Sequence, residues 1–246
     1  MTASFETIEP VAARAWPPEA VETLGGWRLH ASSGFSGRSN CCWPIGAPDR
    51  PIEAAVDAAE AWYAARDLPP LFKPVDAPAS EPLIQALAAR GYRPRTKTLV
   101  MTGPLADGDA GPALVSDLVG EGFAGLFAAV QDDPADAAER IGTLRRIAAP
   151  RAFASVEIDG RTAAIGACAV EGGWAGIFGM RTTPDHRRQG LARAVIAALS
   201  DAAREAGARR AYLQVEADNG GAIRLYESLG FAPAYGYRYW DRRDDA

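Results

Sequence analysis

The sequence predicts an α/β protein, and three observations carry that prediction. Strand-like and helical patterns alternate through the second half of the chain. A strand-like run, Trp174 to Thr182, passes through a basic, Gly-containing loop into an Ala-rich helical pattern, Leu191 to Ala206, which stops at Gly207. A helix with a Gly-aromatic exit into a strand, Ile223 to Pro233, closes the chain, and Ile84 to Pro94 repeats that arrangement in the first half. With 246 residues, 48% hydrophobic and 23% charged, the chain has the balance of a globular protein able to bury a core.

The first twenty residues show little pattern beyond Pro17-Pro18. Gly26 to His30 and Arg38 to Ile45 read as short strands around a Ser/Gly-rich turn. Pro51 to Arg66 is helical, with Ile52, Ala55, Val56, Ala59 and Tyr63 on one face and Pro51 suited to the first turn. A strand near Leu71 to Val75, a helix opened by Pro82 and stopped by Gly91, and an alternating strand Thr96 to Met101 follow. Gly103 to Pro112, dense in Gly, Pro and Asp, reads as a linker. Beyond it come a strand at Leu114 to Val119 and helices at Gly122 to Val130 and Pro134 to Ile147. A hairpin then joins Ala152 to Ile158 and Arg161 to Val170 through Asp159-Gly160.

A formal charge of −5 and a pI near 5.2 leave no basic footprint for nucleic acid or an anionic membrane, and mildly favour a cationic acceptor such as an amine. Three cysteines, two of them adjacent, form no disulfide framework, and no signal pattern or membrane-length apolar run is present. The expected location is the cytoplasm.

The loop Thr183 to Ala192 holds the chemistry. A loop that leaves a strand, turns at Gly190 and opens a helix presents unpaired N–H groups at the positive end of the helix dipole. That is a cradle for a diphosphate, and Arg187 and Arg188 add donors suited to phosphate. Arg187-x-x-Gly190-x-Ala192 resembles the acyl-CoA pyrophosphate loop of the GCN5-related N-acetyltransferases (GNAT). The following Val215-Glu216-Ala217-Asp218-Asn219 and Ala222 to Phe231, with Tyr226 and Gly230-Phe231, resembles that family's closing segment.

The resemblance implies the mixed α+β sheet of the GNAT acyl-CoA N-acyltransferase fold and an acetyl-CoA-dependent N-acetyltransferase acting by direct transfer on a primary amine, in a small molecule or a peptide. It covers the last 130 residues or so. With the repeated helix exit it implies tandem halves: 1–103 as a degenerate GNAT-like copy, 104–112 as linker and 113–246 as the catalytic domain. The first copy has Leu87 where Tyr226 stands and no cradle loop, which makes it scaffold or acceptor wall. The resemblance implies that the cradle, Arg187 to Ala192, holds the diphosphate through the backbone N–H groups of Gln189, Gly190, Leu191 and Ala192, with Arg187 and Arg188 at its lip. The main chain of Met180, Arg181 and Thr182, on a strand that splays from its neighbour, takes pantetheine and the thioester oxygen. Asn219 bonds the pantetheine arm or caps its helix. Tyr226 protonates the leaving thiolate. The family position that holds a Glu in some members is Gly176 here, so Glu216 is the substitute base, with Glu171 and Asp185 behind it. Cys168 reads as buried filler.

Two rival readings are a non-catalytic acyl-CoA-binding sensor, favoured by the missing strand Glu and opposed by Tyr226, and an ATP-binding protein. The second lacks a Gly-Lys-Ser/Thr loop and a magnesium-binding carboxylate pattern.

Overall fold

The computed structural model describes residues 3–129 and 131–242. Chain order is α1 (Phe5–Ala15), β1 (Ala20–Leu24), β2 (Trp27–Ala31), β3 (Cys42–Pro44), α2 (Ile52–Ala64), α3 (Glu81–Ala89), β4 (Arg93–Gly103) and β5 (Leu114–Ser116). It continues with α4 (Glu121–Ala129), α5 (Pro134–Arg146), β6 (Arg151–Ile158), β7 (Arg161–Glu171), β8 (Trp174–Thr182), α6 (Leu191–Glu205), β9 (Arg210–Glu216), α7 (Gly220–Glu227) and β10 (Ala232–Asp241). The expected helix end at Val130 lies outside the described residues.

A three-stranded sheet, β1-β2-β3, and a seven-stranded sheet, β10-β4-β9-β8-β7-β6-β5, meet through segment 71–75. Phe72 bridges β3 in parallel and β10 antiparallel, and Val75 bridges Tyr237. The joined order is therefore β1-β2-β3-(71–75)-β10-β4-β9-β8-β7-β6-β5, with the β10–β4 pair at its middle, four members to one side and five to the other. Each half ends in a helix and a strand, as the repeated exit predicts, but the two last strands are exchanged. β4 lies beside β9, while β10 lies beside segment 71–75.

The expected division after Gly103 therefore does not separate two sheets. β4 sits inside the seven-stranded sheet, with Val100 and Met101 fully buried. Nor is 104–112 a loose tether: Leu105 and Ala106 are buried, and the Ala106 amide donates to Ser200 Oγ at 3.1 Å on α6. Helix α6 covers one face of the large sheet through Val195, Ile196 and Leu199. α1, α4 and α5 cover the other around Ile8, Phe127 and Leu144. The smaller lobe closes α2 and α3 around Trp27, Tyr63 and Phe72.

Helix α1 was not expected. Ile8, Val11, Ala12 and Ala15 are buried at helical spacing, but Pro10 inside the helix removes an N–H and masks the pattern. Glu9 on α1 meets Lys73 of segment 71–75 in a buried ion pair and accepts from Tyr235 Oη of β10 at 2.7 Å, which ties three distant stretches together.

His30, on β2, is 1% exposed, and burial lowers its pKa to about 4. The unfolded chain takes up this proton near pH 6.5, so the contribution to stability is complete above that value and is lost as pH falls towards 4. Urea melts at pH 7 and pH 5 should differ by about 2 kcal/mol through this residue alone. His30→Leu should flatten that part of the pH dependence.

Candidate acyl-CoA site and its surroundings

The site is built where two parallel strands part. β8 and β9 pair from Trp174↔Arg210 to Ile177↔Leu213 and no further. Beyond that fork, Phe178 to Thr182 and Gln214 to Glu216 diverge. A bulge sets the parting: β7 pairs Ala167 with Phe178 but Ile165 with Arg181, so Gly179 and Met180 oppose Gly166 alone. Gly179 takes φ +60°, a conformation a side chain rarely adopts. The Met180 sulfur lies against the α-carbon of Gly166, in space that a Cβ there would fill.

After β8, a short 3-10 turn, Pro184–His186, leads into the loop. Arg188 (φ 62°) and Gly190 (φ 83°) are both left-handed, and Gly190 caps α6. The helix ladder begins with the Arg193 and Ala194 amides donating to the Gly190 carbonyl, at 2.9 and 3.1 Å. The amides of Arg188 to Ala192 lie outside it, and alternating backbone of this kind turns such amides into a concave anion receptor. His186 is half-buried, and its Nδ1 meets Thr183 Oγ1 at 2.8 Å, a brace for the loop.

Fork and loop open into one cleft of about 970 Å³. Met180, Arg181, Thr182, Arg187, Arg188, Gly190, Leu191, Ala192, Glu216, Asn219 and Tyr226 all line it. Gln189 does not; its side chain turns back to donate to the Asp185 carbonyl at 3.1 Å. Asn219 caps α7, its Oδ1 accepting from the Ala222 amide at 3.1 Å.

Tyr226 is 8% exposed, its ring braced by Phe231 at 6.2 Å between centroids. Its hydroxyl takes no partner among the described residues and belongs to the cleft wall. Burial raises its pKa, and the nearby Arg181 charge works against that rise.

Packing explains the missing carboxylate at Gly176. A Cβ there would lie 2.4 Å from Phe178 Cζ and 2.5 Å from Tyr212 Oη, so two aromatic side chains occupy the space a Glu would need. Of the substitutes, Glu171 is paired with Arg14 at 2.7 Å and Asp185 is exposed outside the cleft wall. Glu216 remains: an exposed carboxylate at the end of β9, lining both the cleft and a cavity of about 260 Å³ shared with Asn40, Thr98 and Tyr239.

Sequence reasoning missed several cleft residues, among them Gln214, Gln131 and Arg38. Gln214 follows the fork on β9; its Oε1 accepts from Tyr237 Oη at 2.8 Å and its buried Nε2 has no partner among the described residues. Gln131 follows α4. Arg38 arrives from the loop between β2 and β3, with its guanidinium 4.4 Å over Trp16 and 5.7 Å over Phe178. Nothing local to residue 38 signals a place in a site assembled around residue 178.

The four tryptophans of the first half divide. Trp16, Trp27 and Trp43 are core, while Trp62 is half-buried beneath Arg66 at 3.8 Å. No helix among the described residues is long and apolar enough to cross a membrane.

A mixed sheet forked at β8/β9, with an amide-rich loop opening α6 beneath the fork, is the GNAT fold, and the chain is an acetyltransferase of GNAT type. The model of the family described as "Probable histone acetyltransferase Rv0428c C-terminal" matches residues 2–240, and the chain belongs to that family. It is 25% identical over 253 residues to the "Uncharacterized N-acetyltransferase YobR" of Bacillus subtilis, covering 96% of this chain and 98% of that protein. It is 42% identical over 74 residues to the "[Ribosomal protein bS18]-alanine N-acetyltransferase" of Escherichia coli, covering 28% of this chain and 50% of that one. A GCN5-related N-acetyltransferase from Kribbella flavida has the same fold, with a TM-score of 0.70 at 16% identity over 100% of this chain and 97% of that one.

Proposed function

We propose that this cytoplasmic enzyme moves an acetyl group from acetyl-CoA to an amine, by direct attack and with no acyl-enzyme. The observation that carries the reading is the cleft that joins the fork, the amide cradle and Tyr226. The loop 187–192 would hold the diphosphate through its amides, with Arg187 and Arg188 at its lip. The open edge of Met180 to Thr182 would take the pantetheine arm, and a main-chain amide of that edge would receive the thioester oxygen as it gains charge.

The amine nitrogen bonds the carbonyl carbon, the C–S bond breaks, and its electron pair leaves on sulfur. Glu216, directly or through water, takes the proton the amine sheds, and Tyr226 supplies one to the thiolate. Direct transfer is supported by Cys168, which is 1% exposed with its thiol pushed up to about 12 by burial and so is no nucleophile at neutral pH. Free CoA release across a panel of amines tests the reading; acetyl-CoA binding without turnover on any amine would favour the sensor instead.

The first hundred residues are proposed to be a degenerate copy that lends a strand and an acceptor wall. Its loop between β3 and α2 carries Pro48 and Pro51, which have no N–H to offer, and Leu87 is fully buried where Tyr226 stands in the second half. Calorimetric titration should therefore give one acetyl-CoA per chain. Two equivalent sites would overturn the degeneracy.

A further inference from the structure

We infer that the acceptor amine also bears an anionic group, carboxylate or phosphoryl, gripped by Arg38 and Arg181 where the β8/β9 fork opens. Both guanidiniums line the cleft, and neither forms an ion pair with a carboxylate among the described residues. This inference rests on the acetyl-transfer reading above.

The two heads are held from opposite halves of the chain. Arg38 rides on loop 34–40, which Glu139 of α5 clamps. That buried carboxylate accepts from the Phe35 and Ser36 amides at 3.0 and 2.7 Å and from Asn40 Nδ2 at 3.1 Å. The Arg38 head stacks on Trp16 and on Phe178, the first residue past the fork. Arg181 leaves β8 on the face away from α6. Its head lies 5.2 Å from the Phe127 ring centroid, and one Nη donates to the Met180 carbonyl at 2.9 Å. Its other Nη is 3.1 Å from the Gln131 side-chain oxygen in the amide orientation that satisfies both ends. Its acidic neighbour Asp136 is taken by Arg140 at 2.6 Å.

A guanidinium carries five N–H donors and stays charged. Arg38 donates none of them among the described residues, and Arg181 commits only some. Arg181 is held below the usual range by burial first, then by the charges of Arg140 and Arg38, so the cations weigh on one another. An arriving anion relieves that repulsion. Acetyl-CoA does not supply it in the proposed pose, because its diphosphate belongs to loop 187–192 and the thioester at the fork is uncharged. The chain's net charge of −5 mildly favours a cationic acceptor, but the two side chains at the mouth of the fork, Arg38 and Arg181, are both cationic.

The test uses matched pairs differing only in the anion: β-alanine and β-alaninamide, O-phosphoethanolamine and ethanolamine, together with their N-acetylated products. Binding of the acetylated products to the CoA-loaded protein is measured by calorimetry, and turnover of the amines by CoA release. Comparing wild type with Arg38→Gln and, separately, Arg181→Gln cancels differences in amine basicity. Thermal melts check that each variant folds. Wild type should favour at least one anionic member about tenfold or more, and each substitution should pull that ratio towards one. Equal binding in wild type, no binding by any member, or a preference that survives both substitutions would overturn the inference and leave Arg38 as packing for Trp16. Anion-dependent product binding with no acetylation would overturn the transfer reading while leaving the anion site standing.

Discussion

Tyr226→Phe is expected to lower kcat and kcat/KM for acetyl-CoA together by at least tenfold, with KM little changed. General acid help is typically worth about 10²–10⁴-fold, so tenfold is a floor. A phenol near pKa 10 giving its proton to a thiolate near 8.5 is uphill by only about 2 kcal/mol. Burial makes the phenol a weaker acid still, with Arg181 opposing that shift, and burial disfavours the bare thiolate it would protonate as well. The substitution keeps the ring against Phe231 and removes a hydroxyl that has no partner among the described residues. No group is stranded, and the melting temperature should barely move. Normal kcat would make Tyr226 a core residue. A raised KM alone would make it a binding residue and leave the acid to water.

The parts of the site that one stretch of chain builds were legible in the sequence. The cradle needs a strand, a glycine able to turn left-handed and an amphipathic helix in succession, and 174–206 spells these out. Tyr226 was legible because a short capped helix with a Gly-Phe exit places it one turn before the exit. The direction of the Gln189 side chain was not legible, because a motif specifies a backbone path and not where a polar side chain turns. The exchange of β4 and β10 was illegible for a different reason. Alternation shows that Thr96 to Met101 is a strand but says nothing about which of two similar edges it joins. Arg38 is the extreme case, since the two rings under its head, Trp16 and Phe178, and the Glu139 carboxylate that clamps its loop come from three distant stretches of chain. The sequence showed that a carboxylate is missing at Gly176, but only the packing of Phe178 and Tyr212 gives the reason.

Gly190→Asp is expected to weaken acetyl-CoA binding at least tenfold, about 1.4 kcal/mol. Two separable effects contribute. Any side chain at φ 83° carries a strain of about 1 kcal/mol, but the folded protein bears it with or without ligand. The side chain itself matters only when the diphosphate arrives. A Cβ at Gly190 meets nothing within 4 Å in the protein, so the space it enters is the open mouth of the cradle. Gly190→Ala therefore measures occupancy of that space alone, and its loss should fall between wild type and Asp. The carboxylate adds repulsion with the diphosphate at the positive end of α6, and this part should shrink as salt rises while the Ala loss should not. Calorimetry on both variants at low and high salt separates the two contributions. Unchanged affinity in folded Gly190→Asp would remove the cradle assignment, and with it the reading of Arg187 to Ala192 as the seat of acetyl-CoA.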